Sequence, residues 1–202
     1  MSVSYDHSVQ ELWLNPNNYL MMAQNLKNGL LEYVSNPYLI SNKDGTGIED
    51  KYEQLNKDLS KLDANLKEAL KYLDEVLELD DTDPDVWNER GTLLNMLGKS
   101  EEALISYDRS LELCLDDVKD SNTWASKGNT LLGLQRYEEA IECYDNALKI
   151  DDSNPIILNN KGVAYMELDD FQSAIECFTK VLVIYPNNPD AQVLQEVCLE
   201  NL

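Results

Sequence analysis

The chain has 202 residues, 43% of them hydrophobic, which is enough for a real core in one or two domains. Its 38 acidic residues against 16 basic ones leave a net charge of −22, a balance that repels phosphate backbones and draws basic partners, so nucleic acid binding is not expected. No segment offers the roughly 18 to 20 apolar residues of a membrane span, and Met1–His7 has neither the basic nor the apolar region of a secretory signal, which makes the cytoplasm the expected compartment.

From the amino end, Tyr19, Met22, Ala23 and Leu26 lie on one helical face and predict a helix over about 17–34, opened by Pro16. Pro37 and the run Lys43-Asp44-Gly45-Thr46-Gly47 argue against a second helix there and for a mobile loop. Residues 1–48 therefore form a segment of their own, either a decayed copy of the pattern downstream or an unrelated cap. Between 49 and 83, Leu55, Leu59, Leu62, Leu66, Ala69, Leu73 and Val76 alternate spacings of three and four. A hairpin turning at Asp63-Ala64-Asn65 is the favoured reading, with one unbroken helix over about 49–79 as its rival.

Beyond residue 84 the chain repeats itself. Trp87-Asn88-Glu89-Arg90-Gly91, Trp124-Ala125-Ser126-Lys127-Gly128 and Leu158-Asn159-Asn160-Lys161-Gly162 end in glycines 37 and 34 residues apart. At a fixed distance downstream come Ala103, Ala140 and Ala174, each followed four residues later by an aromatic: Tyr107, Tyr144 and Phe178. Small residues at these points suit two antiparallel helices that cross closely, with the aromatics filling the space beside them. Gly98 and Gly133 suit a left-handed residue at the end of each first helix.

This pattern resembles the tetratricopeptide repeat (TPR) family. The resemblance implies an all-α fold, a right-handed solenoid of stacked antiparallel helix hairpins, with units at 84–117, 121–154 and 155–188 and 49–83 as a degenerate unit. Val118-Lys119-Asp120, inserted between the first two units, is nearly one helical turn and is expected to lengthen a helix, so that Leu104, Tyr107, Leu111, Cys114 and Val118 continue one apolar face. Residues 189–202 match the first half of a unit and then stop; Val193, Leu194, Val197 and Cys198 make the stripe of a capping helix.

In that family the first helices line a concave groove with their second, fifth, ninth and twelfth residues. Here those positions hold Asp85, Asn88, Thr92 and Asn95; then Asn122, Ala125, Asn129 and Leu132; then Ile156, Asn159, Val163 and Met166. The wall is amide-rich at one end and apolar at the other, and asparagine offers both donors and acceptors to a peptide backbone. Family members that clamp a free C-terminal carboxylate use two Asn and several basic residues. Only Asn129 and Asn160 fall on the amide positions, while the basic ones hold Ala125, Asp190 and Leu194, so carboxylate recognition is not expected. Arg90, Lys127 and Lys161 recur before the signature glycines. They are expected to pair with carboxylates on their own hairpins, Asp108 for Arg90 and Asp145 for Lys127, the alternative being a positive ladder for acidic peptides.

Reactive chemistry lacks its materials: His7 is the sole histidine, and there is no phosphate loop or C-x-x-C pair. Asp81-Thr82-Asp83-Pro84-Asp85 begins like a calcium loop, but Val86 replaces the required glycine and Thr92 the distal Glu. Cys114, Cys143, Cys177 and Cys198 are expected to be reduced. No enzyme activity, cofactor or metal is expected. The expected role is a scaffold or adaptor that holds a basic or extended segment of another protein. A small acidic chaperone for an aggregation-prone client and a self-assembling module are the alternatives.

Overall fold

The computed structural model describes the backbone of residues 46–114 and 121–202, and the side chains of that range from residue 57 onward except at 59. The expected helix over 17–34, its loop, His7 and Val118 lie outside the described residues. Among the described residues eight helices follow one another: α1 Thr46–Leu79, α2 Pro84–Met96, α3 Ser100–Leu113, α4 Ser121–Gly133, α5 Tyr137–Leu148, α6 Pro155–Glu167, α7 Phe171–Ile184 and α8 Pro189–Glu200. Among the described residues no helix is long and apolar enough to cross a membrane.

Helix starts are written in short polar signals. Asp83, Asn154 and Asn188 stand before Pro84, Pro155 and Pro189, and each accepts a hydrogen bond from a backbone amide of the turn that follows. The proline loses nothing there, because its missing N–H had no partner in the first turn. Asp83 is thereby a helix cap, and Asp80 accepts from Thr82 N at 3.0 Å, so the calcium-like stretch is a turn and a cap.

Three hairpins follow, α2–α3, α4–α5 and α6–α7, and each turn is closed in the same way. Gly98, Gln135 and Asp169 take positive φ values of 75°, 61° and 58°. The next amide, of Lys99, Arg136 or Asp170, donates back to Leu94, Leu131 or Tyr165 at 2.9 Å. Gly133 does not fill this role; it is the last residue of α4, and Gln135 adopts the left-handed conformation two residues on.

Within each hairpin the signature glycine sets the crossing distance. A Cβ at Gly91, Gly128 or Gly162 would lie 2.6–2.7 Å from the ring of Tyr107, Tyr144 or Phe178, so any side chain there collides with a ring that is itself buried. Packing between hairpins closes the stack. Leu104 of α3, Tyr144 of α5 and Ile157 of α6 share one buried cluster, while Leu158, Phe178, Ala191 and Cys198 join α6, α7 and α8 in another. The four cysteines are free thiols, three of them buried.

Two further expectations need correction. No turn interrupts residues 46–79: α1 is a single helix of 34 residues. Asp63-Ala64-Asn65 has no glycine or proline to break it, and Lys67 reaches Asp63 at 2.6 Å across the supposed turn, an i,i+4 pair that helical geometry creates. The insertion does not lengthen α3, which stops at Leu113 as Cys114 turns extended at φ −65°, ψ 102°.

Candidate functional site

α2 touches α4 and α4 touches α6, so the first helices stand side by side and form one wall. Asn88, Thr92 and Asn95 lie on α2, Asn122, Asn129 and Leu132 on α4, and Asn159, Asn160, Val163 and Met166 on α6. α8 adds Asp190, Val193, Val197 and Glu200 in the same register. The charge of the wall is low and its apolar end is open: Ile156 is 63% exposed, Val193 58% and Val197 39%.

Several of the wall's polar groups are already engaged. Tyr144 Oη donates to Asn129 Oδ1 at 2.8 Å, and Asn160 Nδ2 donates to the same oxygen at 2.8 Å, linking α4, α5 and α6. Thr92 Oγ1 accepts from Tyr107 Oη at 3.5 Å, and Asn95 Oδ1 accepts from Ser100 Oγ at 3.0 Å. Leu132 packs on the middle cluster, Val163 and Met166 on the one beside α8. Asn88 and Asn159, equivalent residues of α2 and α6, each carry a buried Oδ1 with no partner among the described residues.

The basic residues form a ladder of a different kind from the one expected. Arg90 Nε meets Asp74 of α1 at 2.8 Å, Lys127 meets Asp108 of α3, and Lys161 meets Asp145 of α5 at 2.5 Å. Each cation therefore pairs with the preceding second helix rather than with its own hairpin, because the side chain at this position points into the seam between units. Burial disfavours the charge on Lys161, but the hydrogen bond and attraction of Asp145 outweigh it and leave its pKa raised. Each cation also lies 5.4–5.8 Å from an aromatic centroid of its own helix, Trp87, Trp124 or Tyr165. A fourth rung repeats the contact without charge, Gln195 Nε2 of α8 donating to Thr179 Oγ1 of α7 at 2.7 Å. With their charges held in the seams, these residues do not form a free positive wall.

Residues 72–105 and 155–188 match family descriptions reading Tetratricopeptide repeat, and residues 128–169 match one reading TPR repeat. The chain is a tetratricopeptide-repeat protein. Solved TPR structures share its fold. MamA superposes with a TM-score of 0.64 at 17% identity, covering 71% of this chain and 77% of its own. YrrB, described as a TPR protein with an unusual peptide-binding site, gives 0.60 at 18% identity over 73% of this chain and 74% of its own. The second TPR domain of human RPAP3, in complex with an HSP70 peptide, gives 0.52 at 25% identity over 57% of this chain and 97% of its own. No curated protein sequence matches. The TPR fold is in general a protein–protein interaction scaffold, and among the described residues no cluster of His, Cys, Asp or Glu could hold a metal ion.

Proposed function

We propose that this chain is a non-catalytic adaptor of the cytoplasm that holds an extended segment of another protein along the wall of α2, α4, α6 and α8. The observation that carries the reading is the wall's polarity gradient. Amide and hydroxyl side chains dominate on α2 and α4, while Ile156, Val193 and Val197 stand exposed on α6 and α8. A guest of matching chemistry lays its backbone against the amides and sets apolar side chains on the α6–α8 end. The net charge of −22 favours a guest that carries basic residues around that apolar core. Peptide complexes of similar folds support the mode of binding, and the lack of basic residues at clamp positions speaks against a free carboxylate as the anchor.

Affinity capture from native lysate tests this with wild type and the Ile156→Asp, Val193→Asp double variant. Both positions are exposed, so the variant should keep its helical content and melting temperature while losing its partners. Equal recovery of the same partners with both proteins would dispose of the wall as the binding site. The exposed apolar end also suits a chaperone that cradles an aggregation-prone client. Co-expression separates the two, since a chaperone raises its client's solubility and an adaptor joins partners that are soluble alone.

A further inference from the structure

Among the described residues α1 is a second helix without a first. α3 packs between α2 and α4, α5 between α4 and α6, and α7 between α6 and α8, whereas α1 packs on α2. Its register is fixed by the seam: Asp74 pairs with Arg90 as Asp108 does with Lys127 and Asp145 with Lys161. In that register Ala69, Leu73 and Val76 stand where the complete units place Ala140, Tyr144 and Ala147, all fully buried beneath their own first helix. On α1 the same face is open, with Val76 44% exposed and Ala69 and Leu73 half-buried.

We propose that residues 16–28 of this chain dock on that face as the missing first helix, making a composite repeat whose halves are separated by a long connection. Three observations select this occupant. Asn15-Pro16 repeats the start signal of Asn154-Pro155 and Asn188-Pro189, where the asparagine caps the helix. Counted from Pro16, Tyr19, Ala23 and Leu26 fall on the positions of Trp124, Gly128 and Leu131.

The third observation is steric. At each of the signature glycines Gly91, Gly128 and Gly162 of the first helices, the second helix has an aromatic ring in the space a Cβ would need. Here both members change together: Ala23 supplies a methyl group and Leu73 replaces the ring, so volume moves from one helix to the other. The connection is long enough. α1 carries about 20 residues ahead of the packed half, roughly 30 Å of helix, and the 16 residues from 30 to 45 can span about 50 Å.

A double-mutant cycle on the full chain tests the contact, read as the urea midpoint of unfolding. Leu73→Tyr alone drives a ring into the Ala23 methyl group and is expected to lower the midpoint; adding Ala23→Gly is expected to recover at least half of that loss. Strictly additive effects overturn the proposal. Should Leu73→Tyr fail to fold, hydrogen exchange of wild type and Leu26→Asp decides: faster exchange across residues 66–79 supports docking, and unchanged protection overturns it. Coupling that disappears on dilution, with light scattering reporting a dimer, would assign the face to a second copy and overturn the intramolecular pairing.

Discussion

Tyr144 donates its hydroxyl to Asn129 at 2.8 Å, so the ring that packs on Gly128 also fixes the side chain one residue further along the same helix. The three complete units treat this pair of positions consistently. Tyr107 meets Thr92, Tyr144 meets Asn129, and in the third unit Phe178 and Val163 lose hydroxyl and acceptor together. Tyr144→Phe should therefore lower stability by about 0.5–1.5 kcal/mol. Asn129→Ala should cost more, about 1–3 kcal/mol, because it strands both Tyr144 and Asn160. Urea unfolding measures both, and equal midpoints for wild type and Asn129→Ala would contradict the network.

Gly128→Ala opposes two effects of known size. Alanine favours a helix interior by roughly 1 kcal/mol, but the new Cβ would lie 2.6 Å from Tyr144 Cε1, and that ring is fully buried. Overpacking of this kind costs about 1–3 kcal/mol, so a net loss is expected. Thermal melting checks the sign, and Tyr144→Leu in the same chain should relieve the clash.

Gln135→Gly should act in the opposite direction. Gln135 is exposed and holds φ at 61°, a conformation that strains any residue with a Cβ. Gly98 occupies the matching place in the first hairpin at φ 75°. After the greater freedom that glycine gives the unfolded chain, a gain of about 0.5–1 kcal/mol is expected in a denaturant titration.

Lys161→Met tests the seam. Its partner Asp145 is about half exposed, so the loss should stay below about 1 kcal/mol and shrink further in 1 M salt. Arg90→Lys should be costlier than its charge suggests, since Arg90 also donates to the buried Ser106 Oγ at 2.8 Å, a bond the shorter head group cannot duplicate. Midpoints at low and high salt distinguish the two contributions.

Alkaline pH should loosen the middle of the stack. Burial pushes the Cys143 thiol up to about 11 from its ordinary 9.0. The folded protein thus holds this proton more tightly than the unfolded chain, so its contribution is whole below pH 9 and is lost as pH rises through 11. Cys177 is shifted in the same direction by its own burial. Urea midpoints should fall from about pH 8 to about pH 10.5, and Cys143→Ala should flatten that fall.

What the sequence discloses follows the range of the forces involved. Gly91 with Tyr107, and Gly128 with Tyr144, are legible because a close crossing demands particular residue sizes at a set spacing, whatever lies outside the hairpin. The continuity of α1 is harder to read, since hairpin and rod share one apolar spacing and only the want of a glycine or proline at Asp63-Ala64-Asn65 tells them apart. Sequence alone pairs Arg90 with Asp108 of its own hairpin, whereas it reaches Asp74, because that choice depends on how one hairpin leans on the next. Register assigns the wall residues to their helices. That Asn129 is occupied by Tyr144 and Asn160 appears only once α4, α5 and α6 are assembled.

The last rung, Thr179 with Gln195, repeats in neutral atoms a contact that the earlier rungs make with ions. Dissolved ions screen Asp74–Arg90, Lys127–Asp108 and Lys161–Asp145 and leave the amide-to-hydroxyl joint untouched. Brine therefore acts on this molecule with a direction, slackening it from the amino-terminal side while the far end keeps its grip.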